Sequence, residues 1–581
     1  MAEIIIMPKL GFNMDEGELV KWHKSVGDTV RKGEVLFEIN TDKTTMPVEA
    51  TADGIVLKIL LNEGNAADVF TPIAVIGEAG EDADAILSGK NADAAAPKDG
   101  TKTVGGEGEK GKKEGQKEVA DHGSYDYEII VIGAGPGGYE TAIKAAQLGK
   151  KTAIVEEKHF GGVCLNEGCI PTKTLIRTAN LYHEMKESSN FAITGIDLSK
   201  IDVDMKKLQE RKKSVVNTLV GGVQGLLRKN KVHIINGHGE FVDVHTIKVA
   251  DKAYTAENFI IATGSSVFMP PFIPIENSDN VITSKEALDV DKKPESVAII
   301  GGGVIGIEFA HVFSTLGAKV TVLELMEHIM PMVDEEVSGM VKARLQKNGV
   351  KIYNTAKVSK VKDNAVIYEF DGKEEKIEAK MILMAVGRIP NTQGLNAEGI
   401  GIEFDRKAIK VDAFLRTNIP NIYAIGDVNA KVMLAHVASH EGFVAVEDIC
   451  GHAHPMRYDR IPSCIYLDPE VASIGLTQKQ AKGKGIEVSI GRFPMMANGK
   501  SLVEGDTDGI AKVIIDKELG EILGVHLYGK HVTDMISEIA VAMSLEATAE
   551  EVLSAIHPHP TVSEAIGEGF MSAFYGKSIN S

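Results

Sequence analysis

One pattern of apolar and polar residues occurs twice in the chain, about 170 residues apart. Its copies are YEIIVIGAGPGGYETAIKAAQLGKKTAIVE, from Tyr127, and ESVAIIGGGVIGIEFAHVFSTLGAKVTVLE, from Glu295. Each copy has a short apolar run, a glycine-rich turn, an amphipathic segment and a second apolar run that ends in an acid. This order predicts strand, turn, helix and strand. We therefore expect two βαβ units in the C-terminal part of the chain.

A different pattern fills the first 79 residues. Short alternating or apolar runs, among them GELVKWH, EVLFEI, GIVLKILL and IAVIG, are separated by Gly and Asp, as in an all-β domain. The pattern repeats at an offset of 37, which aligns Gly27 with Gly64 and Leu36 with Ile73. Two such halves predict a quasi-twofold sandwich, with a tight turn between the halves that has Lys43 at its tip.

The segment 80–123 separates the two regions. It contains almost no large apolar side chain and is rich in Gly, Ala, Lys and acidic residues, so it cannot form a packed core. We expect a flexible linker whose ends lie roughly 35–40 Å apart on average. The length of 581 residues allows about three to four domains.

Charge and cysteine content restrict the class of protein. The formal net charge of −19 disfavours nucleic acid and anionic membranes as partners. The N-terminal MAEIIIMPK is unlike a signal peptide, and no apolar span is long enough for membrane insertion, so we expect a cytoplasmic protein. The four cysteines include no second pair and no nearby His at zinc spacing, which indicates neither a disulfide framework nor a metal site.

Both glycine-rich turns match GxGxxG, a pattern typical of dinucleotide sites. Its glycines let the backbone turn tightly and approach a pyrophosphate at the N-terminus of the next helix. About twenty residues later, each copy has an acid that can bind ribose hydroxyls. An acid at the second site with no Arg beside it favours NAD over NADP, because it would repel a 2′-phosphate. The residues concerned are Gly133, Gly135, Gly138 and Glu156, and then Gly301, Gly303, Gly306 and Glu324.

Two of the four cysteines lie five residues apart in GGVCLNEGCIPTK, from Gly161. In one continuous helix the Cα atoms of Cys164 and Cys169 would be roughly 7.5 Å apart, beyond the usual reach of a disulfide. A bridge would need a distorted turn, which Gly168 can help to provide, and a strained bridge is easily reduced. The residues alone leave two interpretations open, a catalytic disulfide and two unrelated buried thiols.

The first GxGxxG, the cysteine segment, IIATGSSVFMPP and TNIPNIYAIGDV together resemble the flavoprotein disulfide reductase family over essentially all of residues 125–581. The resemblance implies FAD at the first nucleotide site and NAD at the second. It also implies a redox disulfide in which Cys164 exchanges with the substrate thiol and Cys169 faces the flavin. The further cofactor residues it implies are Gly162, Lys173, Gly264 and Asp427 for FAD, and Glu308 and Gly387 for NAD.

For two of these positions, the residues alone allow an ordinary structural role in place of a role in cofactor binding. Asp427 could equally cap a helix. Glu308 could be an exposed acid on a helix, and the sequence by itself favours that interpretation. By resemblance to the family, Glu308 would instead pair with Lys173 beside the flavin. Cys450 and Cys464 belong to no paired motif, and we interpret both as structural or incidental.

A thiol substrate needs a base, because the thiolate is the attacking species. Two histidines have a carboxylate five residues later, His454 with Asp459 and His559 with Glu564. Composition cannot separate them. The resemblance favours His559 and Glu564, because HPHPTVSE lies near the C-terminus, where the family has its catalytic pair. It also implies a homodimer in which this His reaches the disulfide of the other subunit.

The N-terminal segments MPKLGFNMDEGELVKW, VGDTVRKGEVLFEI and TDKTTMPVEA resemble a lipoyl domain. The resemblance implies covalent lipoate on Lys43. We therefore predict a multidomain chain that begins with an all-β lipoyl/biotinyl-type sandwich, continues with α/β double Rossmann-type FAD and NAD domains and ends with an α+β dimerisation domain. The predicted bounds are lipoyl domain 1–79, linker 80–123, FAD domain 124–272, NAD domain 273–392, central domain completing the FAD site 393–461 and interface domain 462–581.

The combination resembles the dihydrolipoamide dehydrogenases, the E3 components of 2-oxo acid or acetoin dehydrogenase complexes. It implies NAD-dependent oxidation of protein-bound dihydrolipoamide, with an acyltransferase (E2) and the other components of the complex as partners. One alternative is another pyridine-nucleotide disulfide reductase. Glu324 and the lipoyl domain disfavour a glutathione reductase, and the C-terminal GKSINS lacks the thiol pair of a mercuric reductase. A non-catalytic lipoyl-domain scaffold is the other alternative.

Overall fold

The computed structural model of the chain describes residues 3–8, 16–40, 45–50, 52–68, 71–78, 81, 83, 125–452 and 454–580. The chain divides into two compact units, residues 1–119 and 120–581. The predicted linker lies almost entirely outside the described residues, and so does Lys43 with its predicted turn. The predicted domain boundaries stay predictions.

The N-terminal unit is a sandwich of two antiparallel sheets. Its strands are β1 (Glu3–Ile6), β2 (Glu16–Trp22), β3 (Thr29–Val30), β4 (Val35–Asn40), β5 (Thr45–Glu49), β6 (Gly54–Ile59), β7 (Ala66–Asp68) and β8 (Pro72–Gly77). The strand orders are β1-β8-β6-β3 and β5-β4-β2-β7. Leu36 and Ile73, which the internal repeat aligns, are both fully buried in one apolar core shared by the two sheets. The predicted all-β sandwich is confirmed.

The C-terminal unit begins with the first predicted βαβ unit. Its elements are β9 (Tyr127–Ile132), α1 (Pro136–Gln147), β10 (Thr152–Glu156), α2 (Gly162–Glu167), α3 (Cys169–Lys186), α4 (Met205–Lys229), β11 (His233–Asn236), β12 (Gly239–Asp243), β13 (Thr246–Val249), β14 (Lys252–Ile261) and β15 (Ser265–Val267). Strands β11, β10, β9 and β14 are parallel in that order, and β13 and β12 extend the sheet antiparallel. The strand order reverses beside β9, where sheets of this kind bind ligands.

The second βαβ unit is built in the same way. Its elements are β16 (Ile275–Glu276), β17 (Val281–Thr283), α5 (Ser284–Ala287), β18 (Ser296–Ile300), α6 (Val304–Thr315), β19 (Lys319–Leu323), α7 (Glu335–Lys347), β20 (Lys351–Tyr353), β21 (Lys357–Lys362), β22 (Ala365–Phe370), β23 (Lys373–Glu378), β24 (Met381–Met384) and β25 (Arg388–Pro390). Strands β17, β24, β18, β19 and β20 form a parallel sheet in that order. Strands β16, β21, β22 and β23 form a smaller mixed sheet, in which only β16 and β21 pair in parallel. In both parallel sheets the strand before the glycine-rich turn is central.

The next segment returns to the first sheet. Its elements are β26 (Phe404–Asp405), β27 (Ala408–Ile409), β28 (Ile422–Ala424) and α8 (Ala435–Ile449). Strand β28 pairs in parallel with β14, so the residues that follow β28 lie at the same sheet edge as the first glycine-rich turn.

The C-terminal domain is a five-stranded antiparallel sheet in the order β29-β30-β33-β32-β31. Its apolar face packs against α11 and α13. The elements are β29 (Ser463–Ile465), β30 (Glu470–Gly475), α9 (Gln478–Gly483), β31 (Val488–Pro494), α10 (Gly499–Glu504), β32 (Ile510–Asp516), β33 (Ile522–Gly529), α11 (Val532–Ser544), α12 (Ala549–Ser554) and α13 (Glu564–Tyr575).

Both faces of the first parallel sheet are buried, as parallel strands require. Along β9, Ile129 and Val131 pack with Ala142 of α1, while Ile130 and Ile132 pack on the opposite face. This burial holds the carboxyl end of β9, and hence the first glycine-rich turn, in a rigid position. None of the helices in the described part of the chain combines the length and the apolar composition needed to span a membrane.

Candidate active site

The first and third glycines of each loop are required by the fold itself. Gly133 has φ +105° and Gly301 has φ +108°, a region that favours glycine. A Cβ atom on either would collide with a backbone carbonyl of the neighbouring strand segment, Ala262 or Ala385. The third glycines, Gly138 and Gly306, would collide with the carbonyl of the first glycine of their own loop.

The second glycine of each loop faces open space instead. Gly135 and Gly303 have extended backbones that any residue can adopt. The nearest atom to a Cβ on Gly135 is 4.0 Å away, on Gly162, and nothing lies within 4 Å of a Cβ on Gly303. Both glycines lie immediately before a helix, α1 or α6, whose N-terminus favours an anion. The two loops therefore leave room for a pyrophosphate, and these residues fit a dinucleotide.

The acid at the end of each βαβ unit holds the loop of its own unit. The N–H of Ala134 donates to Glu156 Oε2 at 2.7 Å, and the N–H of Gly302 donates to Glu324 Oε2 at 2.6 Å. In both cases the acid is 22 residues after the donor. Glu324 is only 7% exposed. The acids thus stand beside the loops, where ribose hydroxyls would lie.

One cavity of about 2280 Å³ contains both loops and the cysteine segment. Single-ligand pockets usually measure about 300–1,000 Å³, so this cavity is large enough for more than one extended ligand. Gly138 and Gly306 are not among its lining residues, in keeping with their role under the loops. The predicted residues that line it are Gly133, Gly135, Glu156, Gly162, Cys164, Cys169, Lys173, Gly264, Gly301, Gly303, Glu308, Glu324, Gly387 and Asp427.

The cysteine segment is two helices rather than one. Helix α2 ends at Glu167, Gly168 has φ −146° and ψ −111°, and α3 begins at Cys169. The break removes the helical spacing that would have kept the cysteines apart, and the free thiols of Cys164 and Cys169 hydrogen-bond to each other. The predicted distortion at Gly168 is present, and the interpretation of two unrelated buried thiols is wrong.

The two thiols differ in acidity. The pKa of Cys169 is lowered to about 7 by the hydrogen bond from Cys164 and by the nearby Lys173 ammonium, which together outweigh the opposing effects of burial and Glu308. Cys169 is also the first residue of the 18-residue helix α3, whose positive end favours a thiolate. The same hydrogen bond, together with burial, raises the pKa of Cys164. Cys169 is therefore the more acidic thiol of the pair and the one that deprotonates first.

Lys173 and Glu308 form an ion pair across the cavity. Lys173 Nζ lies 2.9 Å from Glu308 Oε1 and 3.0 Å from Oε2. Glu308 is only 4% exposed, so its interpretation as an exposed helix acid is wrong. The N–H of Tyr466 donates to Glu308 Oε1 at 3.1 Å, and the Tyr466 ring centroid is 4.6 Å from Lys173 Nζ. Sequence reasoning missed Tyr466, since its contacts are with residues far away in the chain.

Asp427 lies just after β28, inside a short 3-10 helix, Gly426–Asn429, of which Ile425 is the N-cap. Asp427 therefore does not cap this helix, and its carboxylate accepts a hydrogen bond from the Ser265 hydroxyl. Arg388 donates to the same hydroxyl and to the Ser265 carbonyl, both at 2.7 Å. Burial lowers the pKa of Arg388. Arg388 also lines the cavity, and its position directly after Gly387 was the available signal.

His559 and Glu564 form the predicted pair, with Nδ1 of His559 2.8 Å from Glu564 Oε1. The His559 side chain is 78% exposed, and neither residue lines the cavity. In the alternative pair of His454 and Asp459, the carboxylate is bound by an arginine instead. Arg457 donates two hydrogen bonds to Asp459 and lowers the pKa of that carboxyl to about 2, and His454 is exposed.

Cys464, for which the sequence predicts no catalytic role, is also close to the redox centre. Cys464 lines the cavity, and burial raises the pKa of its thiol to about 11, so it is protonated at neutral pH. Its thiol donates to the carbonyl of Thr533 in α11 at 3.8 Å. This contact indicates a structural role beside the site.

Three family models match the chain. Residues 127–442 match "Pyridine nucleotide-disulphide oxidoreductase", and residues 461–569 match the dimerisation domain of the same group. Residues 3–76 match "Biotin-requiring enzyme", a biotin/lipoyl domain. These matches place the dinucleotide fold, the C-terminal sheet and the N-terminal sandwich in known families.

Similar proteins and structures agree with these matches. Dihydrolipoyl dehydrogenase of Bacillus subtilis is 42% identical over 476 residues, 78% of this chain and 99% of that protein. The enzyme of the same name from Zymomonas mobilis is 41% identical over 474 residues, 80% of this chain and 100% of that protein. The flavoprotein disulfide reductase RclA of Escherichia coli has a TM-score of 0.68 at 28% identity, over 76% of this chain and 99% of RclA. The chain belongs to the dihydrolipoyl dehydrogenases of the pyridine nucleotide-disulphide oxidoreductase family.

Proposed function

We propose that the chain oxidises protein-bound dihydrolipoamide to lipoamide through Cys164 and Cys169. Its membership of the dihydrolipoyl dehydrogenases makes it an oxidoreductase that uses FAD and NAD. The observation that supports the proposed path best is the single cavity that connects both nucleotide loops through the two cysteines and the Lys173–Glu308 pair. When bound, FAD would supply the two-electron chemistry that links the cysteines to NAD.

The residues around the cavity divide between the two cofactors. The first loop, with Gly133, Gly135 and Glu156, would hold the FAD pyrophosphate and ribose, and Asp427 would bind its ribityl chain. The second loop would hold NAD. The anchored carboxylate of Glu324 disfavours the 2′-phosphate of NADP, because the two negative charges would repel each other.

The difference in pKa between the Cys164 and Cys169 thiols favours one order of thiol–disulfide exchange steps. A substrate thiolate attacks Sγ of Cys164 in the oxidised bridge, and Cys169 leaves as a thiolate, since the thiol with the lower pKa is the better leaving group. The second substrate thiolate then attacks the substrate sulfur of the mixed disulfide and releases lipoamide. Cys164 has a raised pKa, so its departure requires a proton.

His559 is the proposed source and acceptor of these protons. Its Nδ1 is held by Glu564, which leaves Nε2 free to take a proton from the substrate thiol and to return one to Cys164. Because the pair lies outside the cavity of its own chain and the family model of residues 461–569 is a dimerisation domain, we propose a homodimer in which His559 serves the partner's cavity.

Mixed dimers test this shared site. One chain would have Cys164→Ser and the other His559→Gln, and each homodimer is expected to be inactive. After co-expression or exchange of subunits, a shared site predicts about one quarter of wild-type dihydrolipoamide-dependent NAD reduction, because half of the dimers are mixed and each has one intact site. If both homodimers are inactive and the mixture stays inactive as well, His559 serves its own chain, and an active His559→Gln homodimer would show that His559 has no role.

The N-terminal unit is proposed to be a carrier domain. The biotin/lipoyl match supports lipoate attachment, and Lys43 is the proposed site. Tethered through residues 80–123, a lipoyl arm would reach a local concentration of roughly millimolar near any cavity within its range. We further propose an acyltransferase (E2) and the other components of a 2-oxo acid or acetoin dehydrogenase complex as partners. The cytoplasmic location stays a prediction from composition.

A further inference from the structure

Tyr466 joins three parts of the C-terminal unit at the redox centre. It follows β29 of the C-terminal sheet, while Lys173 belongs to α3 beside the first nucleotide loop and Glu308 to α6 beside the second. The Tyr466 N–H donates to Glu308 Oε1, and the ring centroid is 4.6 Å from Lys173 Nζ. This distance is within the range of a cation–π interaction.

The ring restricts the direction in which the Lys173 ammonium points. Two of its three donors are directed at the Glu308 oxygens, at 2.9 and 3.0 Å. The ammonium also faces the ring, and the Lys173 side chain still keeps 30% of its surface exposed. Without the ring, this flexible side chain gains room to turn towards solvent.

We propose that Tyr466 is a positioning residue, whose ring holds the Lys173 ammonium on the face of α3 that it shares with Cys169, four residues earlier, and so favours the reactive thiolate of Cys169. The proposal rests on the proposed role of Cys169 as the thiolate of the pair. The proposed role belongs to the ring alone, because any residue at position 466 except proline keeps the backbone N–H that donates to Glu308.

Several charged or titratable groups shift the pKa of Cys169, but Tyr466 is in contact with few of them. Among these groups, Tyr466 contacts only Lys173 through its ring and Glu308 through its backbone. Comparison of a variant without the ring with Tyr466→Phe therefore separates the effect of the Lys173 position from that of the phenol hydroxyl. The groups that act on Cys169 are Cys164, Lys173, Glu308, Arg388 and the phenol of Tyr466 itself.

The test is the pH dependence of Cys169 alkylation in the reduced, flavin-loaded enzyme. Iodoacetamide reacts with the thiolate, and peptide mass spectrometry separates alkylated Cys169 from the other cysteines. In the wild type the midpoint is expected at about pH 7. Loss of a partly desolvated cation–π contact in Tyr466→Leu should raise the midpoint by about 0.5–1 pH unit, which leaves about three- to tenfold less thiolate well below the midpoint.

Two variants serve as controls. Tyr466→Phe keeps the ring face and should restore the wild-type midpoint. Tyr254→Leu removes a similar contact, with Lys252 Nζ 4.7 Å from the Tyr254 ring, away from the redox centre, and should leave the midpoint unchanged. A wild-type midpoint in flavin-loaded Tyr466→Leu overturns the proposal, and so does an equal shift in Tyr466→Phe, which would assign the effect to the hydroxyl.

If Tyr466→Leu does not retain flavin, Tyr466→Met replaces it, because methionine fills irregular space well. Equal midpoints in Tyr466→Met and Tyr466→Phe then overturn the proposal. The measurement needs no turnover, so a loss of activity for other reasons does not affect it. A wild-type midpoint near 9, the ordinary thiol value, would instead overturn the proposed role of Cys169, and this proposal with it.

Discussion

Replacing Gly303 by Ala should separate NAD binding from folding. Gly303 has φ −72° and ψ −178°, an extended conformation that Ala adopts without strain, and no atom lies within 4 Å of the added Cβ. The methyl group would occupy the space into which the second nucleotide loop opens. Gly301→Ala, two residues earlier, should have the opposite effect, because its φ of +108° and the Ala385 carbonyl both exclude a Cβ.

The size of each effect follows from these contacts. A Gly→Ala change at a compatible position stabilises by about 0.4–1 kcal/mol through the unfolded chain. Gly303 is also the N-cap of α6, where Gly is favoured over Ala by roughly 0.5–1 kcal/mol, so the net change in unfolding free energy should stay within about 1 kcal/mol. A methyl group in a filled pyrophosphate site costs about 1–3 kcal/mol, which raises the KM for NAD about 5- to 150-fold.

Steady-state kinetics with dihydrolipoamide and NAD, combined with thermal unfolding, measure both effects. Gly339→Ala, in the interior of α7 with nothing within 4 Å of its Cβ, is the matched control and should leave the KM for NAD unchanged. Gly301→Ala should lower the unfolding temperature. A Gly303→Ala enzyme with wild-type KM for NAD would show that the pyrophosphate does not bind at this loop.

Two further predictions concern charge. In Lys173→Met the ammonium that lowers the pKa of Cys169 is gone, so the midpoint of Cys169 alkylation in the reduced enzyme should rise from about 7 towards 9, and the thiolate should dominate only above that higher pH. An unchanged midpoint would contradict this. Lys512→Met should lower the unfolding free energy in denaturant titrations by about 3–5 kcal/mol, because the 2% exposed ammonium pairs with Asp334 and Glu336 at 2.8 and 2.9 Å. The exposed pair of Lys517 with Glu487 is the control, with an expected loss of less than about 1 kcal/mol in Lys517→Met.

The nucleotide loops were predictable because their chemistry is local. Gly133 and Glu156 lie on one βαβ unit, and the tight turn, the helix N-terminus and the acid follow each other within a few tens of residues. The pattern of strands and helices around them follows from the same short-range periodicity. The observed parallel sheets therefore match the predicted Rossmann-type domains.

Features that depend on packing between distant parts of the chain could not be predicted from the sequence alone. Glu308 is buried and contacts Lys173, which is 135 residues away in the chain. The apolar and polar pattern of its own helix cannot predict such a contact. The contact of Tyr466 with Lys173 depends on a third domain. The spacing of Cys164 and Cys169 suggested thiols out of reach in a helix, and only the break at Gly168 brings them together.

Anaerobic mixing of the flavin-loaded enzyme with dihydrolipoamide tests the proposed electron path most directly. In the wild type, dihydrolipoamide should reduce the cysteine pair and produce the long-wavelength absorption of a thiolate beside the flavin, and added NAD should reverse the change. Cys164→Ser should show that absorption before any reductant is added, at a pH at which its Cys169 is deprotonated, because Cys169 remains, and dihydrolipoamide should not reduce its flavin. Reduction of the Cys164→Ser flavin at the wild-type rate would contradict a path through Cys164.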